Sequence, residues 1–452
     1  MRITLIKDRK FYAGVLSIML PVALQQAINM GVNMLDTMML GSFGEAQLSA
    51  SSLANQYYSF FLVLCYGVIG GASVLASQYW GAKDKEHVRE TFSMALRITL
   101  GLALFFAALT FFFARPIMKI YTSEEPVIAY GVRYLEITVF IFAIHSTGLV
   151  AAQLMRTVGQ ARLGLYVSIL SFAVNLAANY IFIFGKCGMP RMEIAGAALG
   201  TLIARLTEFV AVFTYILVID QKLGLRVKHL LKSPSAHFYK NYLRLGAPVL
   251  LSDSLLGLGL NLVSVVLGHM GAAVVAANSI CQVIDRLCTV VIQGVANASG
   301  IITGNTIGSG DHELAMKQGE TFYLLSVIFG GIAALMVFIL GPMTITMYSL
   351  EPETITMTRH LMNAYVAVVF FEAVQCVMTK GVLRGGGDTR FLLKADILFM
   401  WLVSIPLGAV GGLILHWPAW LTLLCLRIDY MIKSVWCVSR LLSGKWIHAV
   451  ER

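Results

Sequence analysis

The sequence predicts an all-α integral membrane protein, with twelve transmembrane helices in two parallel six-helix repeats. Three observations predict it. The 452 residues are 58% hydrophobic and only 13% charged, with a mean hydropathy of +0.77, whereas a soluble domain carries about a quarter charged residues. Apolar runs of helix length recur twelve times along the chain. The second half repeats the first in register. Such a chain cannot cover itself with polar surface in water. It folds where lipid is the solvent for most of its outside, and there helices satisfy every backbone polar group internally.

The N-terminus, MRITLIKDRKFYAGVLSIML, starts like a signal peptide. The apolar run after Lys10 is too long for one and no small-residue cleavage site follows, so it reads as a retained first helix over 11–40. Pro21 is placed near its start, where proline is tolerated. Runs at 48–78, 91–113, 127–152, 163–184 and 194–219 complete the first half. The stretch DQKLGLRVKHLLKSPSAHFYKNYLR, 220–244, is the most basic and polar of the chain and reads as a linker between lobes 1–219 and 245–452. The second half has runs at 246–268, with Pro248 near its start, then 273–303, 319–342, 360–382, 395–415 and 419–439. About 20 residues cross the hydrocarbon, so the longer runs are expected to tilt or bend.

Lysine and arginine set the orientation. With the N-terminal Arg2, Lys7, Arg9 and Lys10 in the cytoplasm, so are Lys83, Lys85 and Arg89, Arg156 and Arg162, Lys222 through Arg244, Lys317, Arg384 and Arg390, and the C-terminal Arg440, Lys445 and Arg452. The opposite loops hold only Arg115, Lys119, Lys186, Arg191 and Arg359. An even number of spans with both termini cytoplasmic is self-consistent, and the chain is expected in the cell's inner membrane. The 34 basic residues outnumber the 24 acidic ones, but they sit in short loops and not on a patch with interleaved aromatics, which excludes a nucleic-acid surface and suits anionic lipid head groups. The seven cysteines lie mostly inside apolar runs without CxxC spacing or a Cys/His cluster, so they read as packing residues and no metal site is expected.

Adding 227 to the positions around Pro21 gives the internal repeat. Pro21 and Val22 match Pro248 and Val249, Leu35 matches Leu262, Gly44 matches Gly271, Ala50 matches Ala277, and Gly81 and Asp84 match Gly308 and Asp311. With an offset of 228, RTVGQAR (156–162) meets RGGGDTR (384–390). An even number of helices per half gives both halves the same orientation. They are parallel repeats about an axis along the membrane normal, an architecture that suits a transporter with a cavity between two bundles.

The residues that carry the repeat also resemble a known family. LDTMMLGSFGEAQLSASSLANQ (35–56), GASVLASQYWGAKD (71–84), NLAANYIFIFG (175–185), IAGAALGT (194–201) and GVLRGGGDTR (381–390), with GAPVLLSDSLLGLGLN and GSGDHELA in the second half, are similar to the multidrug and toxic compound extrusion (MATE) family. The resemblance spans nearly the whole chain. It implies a V-shaped MATE-type fold of two six-helix lobes. It also implies secondary antiport, in which drug-like, often cationic, organic compounds leave in exchange for inward H⁺ or Na⁺. No other cofactor, no nucleic acid and no enzymatic activity are expected, and the chain is expected to work as a monomer in the lipid bilayer.

The ion-coupling candidates are the ionisable and amide groups inside the spans, since intramembrane charge is costly unless it faces a partner, a cavity or a bound ion. Asp36 has Val263 as its repeat counterpart, so the scaffold does not require a charge there. The resemblance implicates this aspartate in coupling; the alternative is packing against neighbouring amides or hydroxyls. Asn175 and Asn179, four apart, share one face of the fifth helix, and their counterparts Val403 and Leu407 are apolar. They are placed to ligate Na⁺ with Asp36, to hydrogen-bond Asp36, or to glue helices together. Many relatives carry an aspartate where this chain has Asn179. Glu372 opposes the apolar Ile144, but Leu256 stands where relatives with an acid at the Glu372 position carry a second one, and Asp253 lies nearer the start of that helix. Asp396 is the deeper of the pair Lys394 and Asp396, while Lys394 snorkels to the surface.

Gln25, Gln26, Met34, Gln56 and Asp253 are candidates for a substrate cavity. Met30, Met38 and Met39 read as lipid-facing or core residues. Asp285 and Arg286 are expected to pair, and Arg205/Glu208 and Arg427/Asp429 to be structural equivalents. RGGGDTR lacks the GxxxxGK[ST] pattern and a preceding strand, so it is a turn and not a phosphate loop. Two other functions stay open. One is a lipid-linked precursor flippase of the same superfamily, which would show longer basic cavity stretches and extra helices. The other is a membrane receptor or sensor, which would carry a soluble signalling domain.

Overall fold

The computed structural model describes residues 5–41, 44–232, 234–345 and 352–450. Arg2 and Arg452, counted above among the cytoplasmic charges, lie outside the described residues. Among these residues the chain is helical, with no strand. Eleven helices are long and apolar enough to cross a membrane. In the first half they are α1 (Arg9–Gly41), α2 (Glu45–Gly81), α3 (Lys85–Tyr121), α4 (Glu125–Thr157), α5 (Ala161–Phe184) and α6 (Ile194–Ile219). The linker holds the short α7 (Val227–Leu231). The second half has α8 (Ala236–His269), α9 (Ala272–Gly308), α10 (His312–Ile345), α11 (Thr354–Gly385) and α12 (Thr389–Ile414).

The twelfth expected span, 419–439, is not one helix. It forms α13 (Ala419–Leu426) and α14 (Ile428–Leu442), separated by Arg427 at φ −117° and ψ 9°. Arg427, Asp429, Lys433 and Arg440 crowd the segment. The Arg427 guanidinium bonds the Tyr430 hydroxyl at 2.6 Å and lies 5.2 Å from that ring's centroid, a side-chain arrangement that accompanies the break.

The helix starts also differ from expectation. α1 begins at Arg9 and α8 at Ala236, so Pro21 and Pro248 lie inside helices and not near their starts. Polar residues ahead of each apolar run carry the helix past the hydrocarbon boundary, and each proline removes one backbone hydrogen bond within it. In α3 the backbone departs from helical geometry at Phe113, φ −127° and ψ 25°, three residues before Pro116, a kink of the kind proline imposes.

Two compact units can be drawn. One comprises residues up to 23, 77–84 and from 243 onward; the other comprises 24–76 and 85–242. The second is organised by an aromatic cluster in which Phe61 and Phe142 meet edge to face at 4.9 Å, with Tyr57 and Phe106 around them. In the first unit, the ends of α2 and α9 approach so closely that a Cβ on Gly81 would strike the Asn305 backbone, and a Cβ on Gly308 would strike the Gln78 backbone. These contacts are reciprocal at the offset of 227, the signature of a local two-fold between equivalent segments. The C-terminal segment closes the same region. Trp446 is fully buried, and the Gln78 amide donates to the Gly385 and His448 carbonyls at 3.1 and 3.2 Å while accepting from the Val450 N–H at 2.8 Å.

The repeat extends to backbone detail. Gly44 and Gly271 both have left-handed φ, 112° and 120°, as do Gly159 and Gly387, 78° and 82°. In the latter turns the glycine N–H bonds the carbonyl of Arg156 at 3.0 Å or of Arg384 at 2.9 Å, and the next N–H bonds Met155 or Leu383 at 3.0 and 3.1 Å. Each closes its helix with the same left-handed cap.

Candidate functional site

Asp36 lies on α1, half-buried. The Asn179 Nδ2 on α5 donates to its Oδ1 at 2.5 Å and also to the Asn175 Oδ1 at 3.2 Å. Asn175 and Asn179 are 4% and 1% exposed. The four-residue spacing stacks the two amides on the α5 face that meets α1, so they form one chain ending at the carboxylate. The far side of Asn179 is shaped by α6. A Cβ on Gly200 would collide with the Asn179 Oδ1, and that oxygen is buried without a hydrogen-bond partner. The Ser171 hydroxyl bonds the Ala204 carbonyl at 3.3 Å, tying the two helices one turn away.

No basic group among the described residues lies within ion-pair distance of Asp36. Arg205 is within its electrostatic reach but pairs with Glu208 at 2.8 Å. Asp36 and Asn175 therefore offer oxygen to a small cation, while the Asn179 Oδ1 is turned toward Gly200 of α6, and the carboxylate alone suffices for a proton. Sequence reasoning missed Gly200 as part of this arrangement. The signal was available: Gly196, Gly200 and Ala204 recur every four residues on α6, the small-residue stripe that lets membrane helices approach.

Of the other residues proposed in the first half, Gln25 is buried and accepts a hydrogen bond from Arg156. Gln26 is half-buried, and Met34 and Gln56 are exposed on the helix surface.

In the second half the acids are mostly engaged. Asp253 is held in a bidentate pair by Arg384, at 2.6 and 3.1 Å. Asp396 does not stand alone: Lys433 of α14, 1% exposed, lies 2.7 Å from Asp396 and 3.0 Å from Asp429, and the Ser252 hydroxyl donates to Asp396. The expected equivalence of Arg427/Asp429 with Arg205/Glu208 therefore fails, because Asp429 is claimed by Lys433 and Arg427 turns to Tyr430. The expected Asp285–Arg286 pair is also absent among the described residues. The Asp285 Oδ1 is buried without a hydrogen-bond partner, and Asp285, Glu372 and Arg427 lie within one another's electrostatic reach. Among the described residues no three His, Cys, Asp or Glu side chains converge as a metal site.

The MatE family model matches the chain twice, over residues 21–181 and 248–410, once in each half. The chain belongs to the MatE family. The MatE family is one of membrane transporters, not enzymes. Among its relatives, "Multidrug resistance protein MdtK" of Photorhabdus laumondii is 24% identical over 406 residues, covering 88% of this chain and 87% of that one. "Probable multidrug resistance protein NorM" of Thermotoga maritima is 24% identical over 434 residues, covering 94% and 91%. The solved structure described as "Outward-facing conformation of a multidrug resistance MATE family transporter of the MOP superfamily" superposes with a TM-score of 0.85 at 17% identity, covering 96% of each chain. The MatE fold is thus common to both, and the double match is the internal repeat seen in the turns and glycines above.

Proposed function

We propose that this chain is a multidrug efflux antiporter. It exports drug-like, cationic organic compounds across the inner membrane in exchange for inward-moving H⁺ or Na⁺, works as a monomer, and has both termini in the cytoplasm. The observation that carries the reading is Asp36, a membrane-embedded carboxylate bonded to Asn179 at 2.5 Å with no base paired to it. Such a group is neutralised by one cation at a time: a proton, a Na⁺ held with the Asn175 oxygen and, once its amide turns over, the Asn179 oxygen, or the positive centre of a cargo molecule. Mutual exclusion at one carboxylate is antiport, because the ion leaves when cargo binds and cargo leaves when the ion returns. Relatives named for multidrug resistance support the cargo class. The second half, with Asp253 and Asp396 already paired, contributes less to coupling in this reading.

The test is ethidium transport in proteoliposomes under separately imposed pH and Na⁺ gradients, with wild type and Asp36→Asn side by side. Transport driven by one gradient and abolished by the substitution supports the reading and names the ion. Transport that survives Asp36→Asn removes Asp36 from coupling, and absence of transport under both gradients removes the organic-cation cargo.

A further inference from the structure

We propose that Arg156 and Gln25 form a binding site for a phosphate group, separate from the Asp36 site and independent of it. Arg156 is 4% exposed and, among the described residues, is the one arginine in the buried polar set. Its terminal nitrogen donates to the Gln25 side-chain oxygen; its Nε is buried with no partner, as is that of Arg384, so the two arginines differ in their counter-ion and not at Nε. No carboxylate among the described residues lies within ion-pair distance of it. A desolvated guanidinium without a counter-ion is costly, and a neutral amide replaces only one of its five donors.

The repeat supplies the control. Arg384 is the counterpart of Arg156 at the offset of 228, and both stand three residues before a left-handed glycine at a helix end. The helix C-terminus favours a cation equally in both halves. Yet Arg384 also takes both oxygens of Asp253, whereas Arg156 bonds the Gln25 amide, one residue before Gln26, the match of Asp253 at the offset of 227. The slot filled by an anion in one half is filled by an amide in the other, so the first half has a guanidinium whose anion is left to a ligand. Gly164 leaves Gln25 room, since a Cβ there would press to 3.0 Å from the Gln25 Oε1. A ligand oxyanion takes Arg156 by displacing that amide.

Phosphate is the chemistry that fits. Arg156 sits in the last turn of a membrane-spanning helix, the level at which head groups lie, and arginine's planar fork matches phosphate oxygens in a bidentate manner. The phosphate comes either from a phospholipid head group or from free solution. The experiment is thermal unfolding of the purified full chain in detergent. The probes are inorganic phosphate against chloride at equal ionic strength, and short-chain phosphatidylglycerol against the uncharged diacylglycerol. The melting temperature is expected to rise with the phosphate-bearing probe. A rise with inorganic phosphate assigns a free anion; a rise with phosphatidylglycerol alone assigns a lipid head group. Arg156→Gln should raise the half-maximal concentration about tenfold or more. Gln25→Glu should abolish the response while raising the basal melting temperature, because its carboxylate then serves Arg156 as Asp253 serves Arg384. A protein that responds to neither probe overturns the proposal. So does an undiminished response in Gln25→Glu, or a basal melting temperature lowered by that substitution.

Discussion

Replacing Gly200 by alanine tests the Asp36 site without touching a charged group. An alanine Cβ would overlap the Asn179 Oδ1, and would stand 3.1 Å from the Asn179 Cγ and 3.2 Å from its backbone nitrogen. The backbone atom cannot move cheaply, so the amide must turn away or α5 and α6 must separate. Overpacking of this kind costs roughly 1–3 kcal/mol. If the amide turns away, the 2.5 Å bond to Asp36 is lost, and a hydrogen bond to a charged group is worth about 1.5–3 kcal/mol. The expected result in proteoliposomes is a roughly ten- to hundredfold weaker apparent affinity for the driving ion, with a lower melting temperature. Combining Gly200→Ala with Asn179→Ala removes the overlap with the side chain but also the bond to Asp36, so the melting temperature should recover only in part and coupling not at all. Gly101→Ala is the control, since a Cβ there meets nothing within 4 Å. Wild-type ion affinity and stability in Gly200→Ala would refute the assignment of Asn179 as an amide clamped onto Asp36.

Lys433→Met strips two buried carboxylates of their cation and should destabilise the protein by about 3–5 kcal/mol. Adding Asp396→Asn and Asp429→Asn should return most of that loss, read as thermal unfolding in detergent. Gly387→Ala should cost more stability than Gly159→Ala, although both turns are left-handed. Alanine at 159 bears only the strain of about 1–2 kcal/mol, whereas at 387 its Cβ also meets the His448 carbonyl at 2.9 Å. Trp446→Ala empties a fully buried ring position. It should cost about 3–5 kcal/mol and expose the C-terminal segment to limited proteolysis.

Sequence alone determined the solvent, the helices and the repeat. A chain 58% hydrophobic and 13% charged has one environment in which its surface is stable, and apolar length locates eleven of the twelve expected spans among the described residues. The in-register glycines at 44 and 271, and at 159 and 387, were legible because a left-handed turn excludes most other residues. Asp36 stood out for the same kind of reason, as a charge where charge is expensive. Where α1 and α8 begin was less legible, because polar residues at the membrane boundary extend a helix without changing its hydropathy. The break at Arg427 was not legible either, since residues 419–435 hold no proline or glycine to signal it, and the Arg427–Tyr430 contact that accompanies it appears only in the folded chain. What only tertiary structure decided is partnership. Asp253, Asp396 and Asp36 look alike in sequence, each one acid in an apolar run. Folding gives Arg384 to the first and Lys433 to the second, from residues 131 and 37 positions away, and gives the third an amide alone. The worth of a buried charge is set by what stands within a few ångströms of it, and periodicity along a helix does not carry that information between helices.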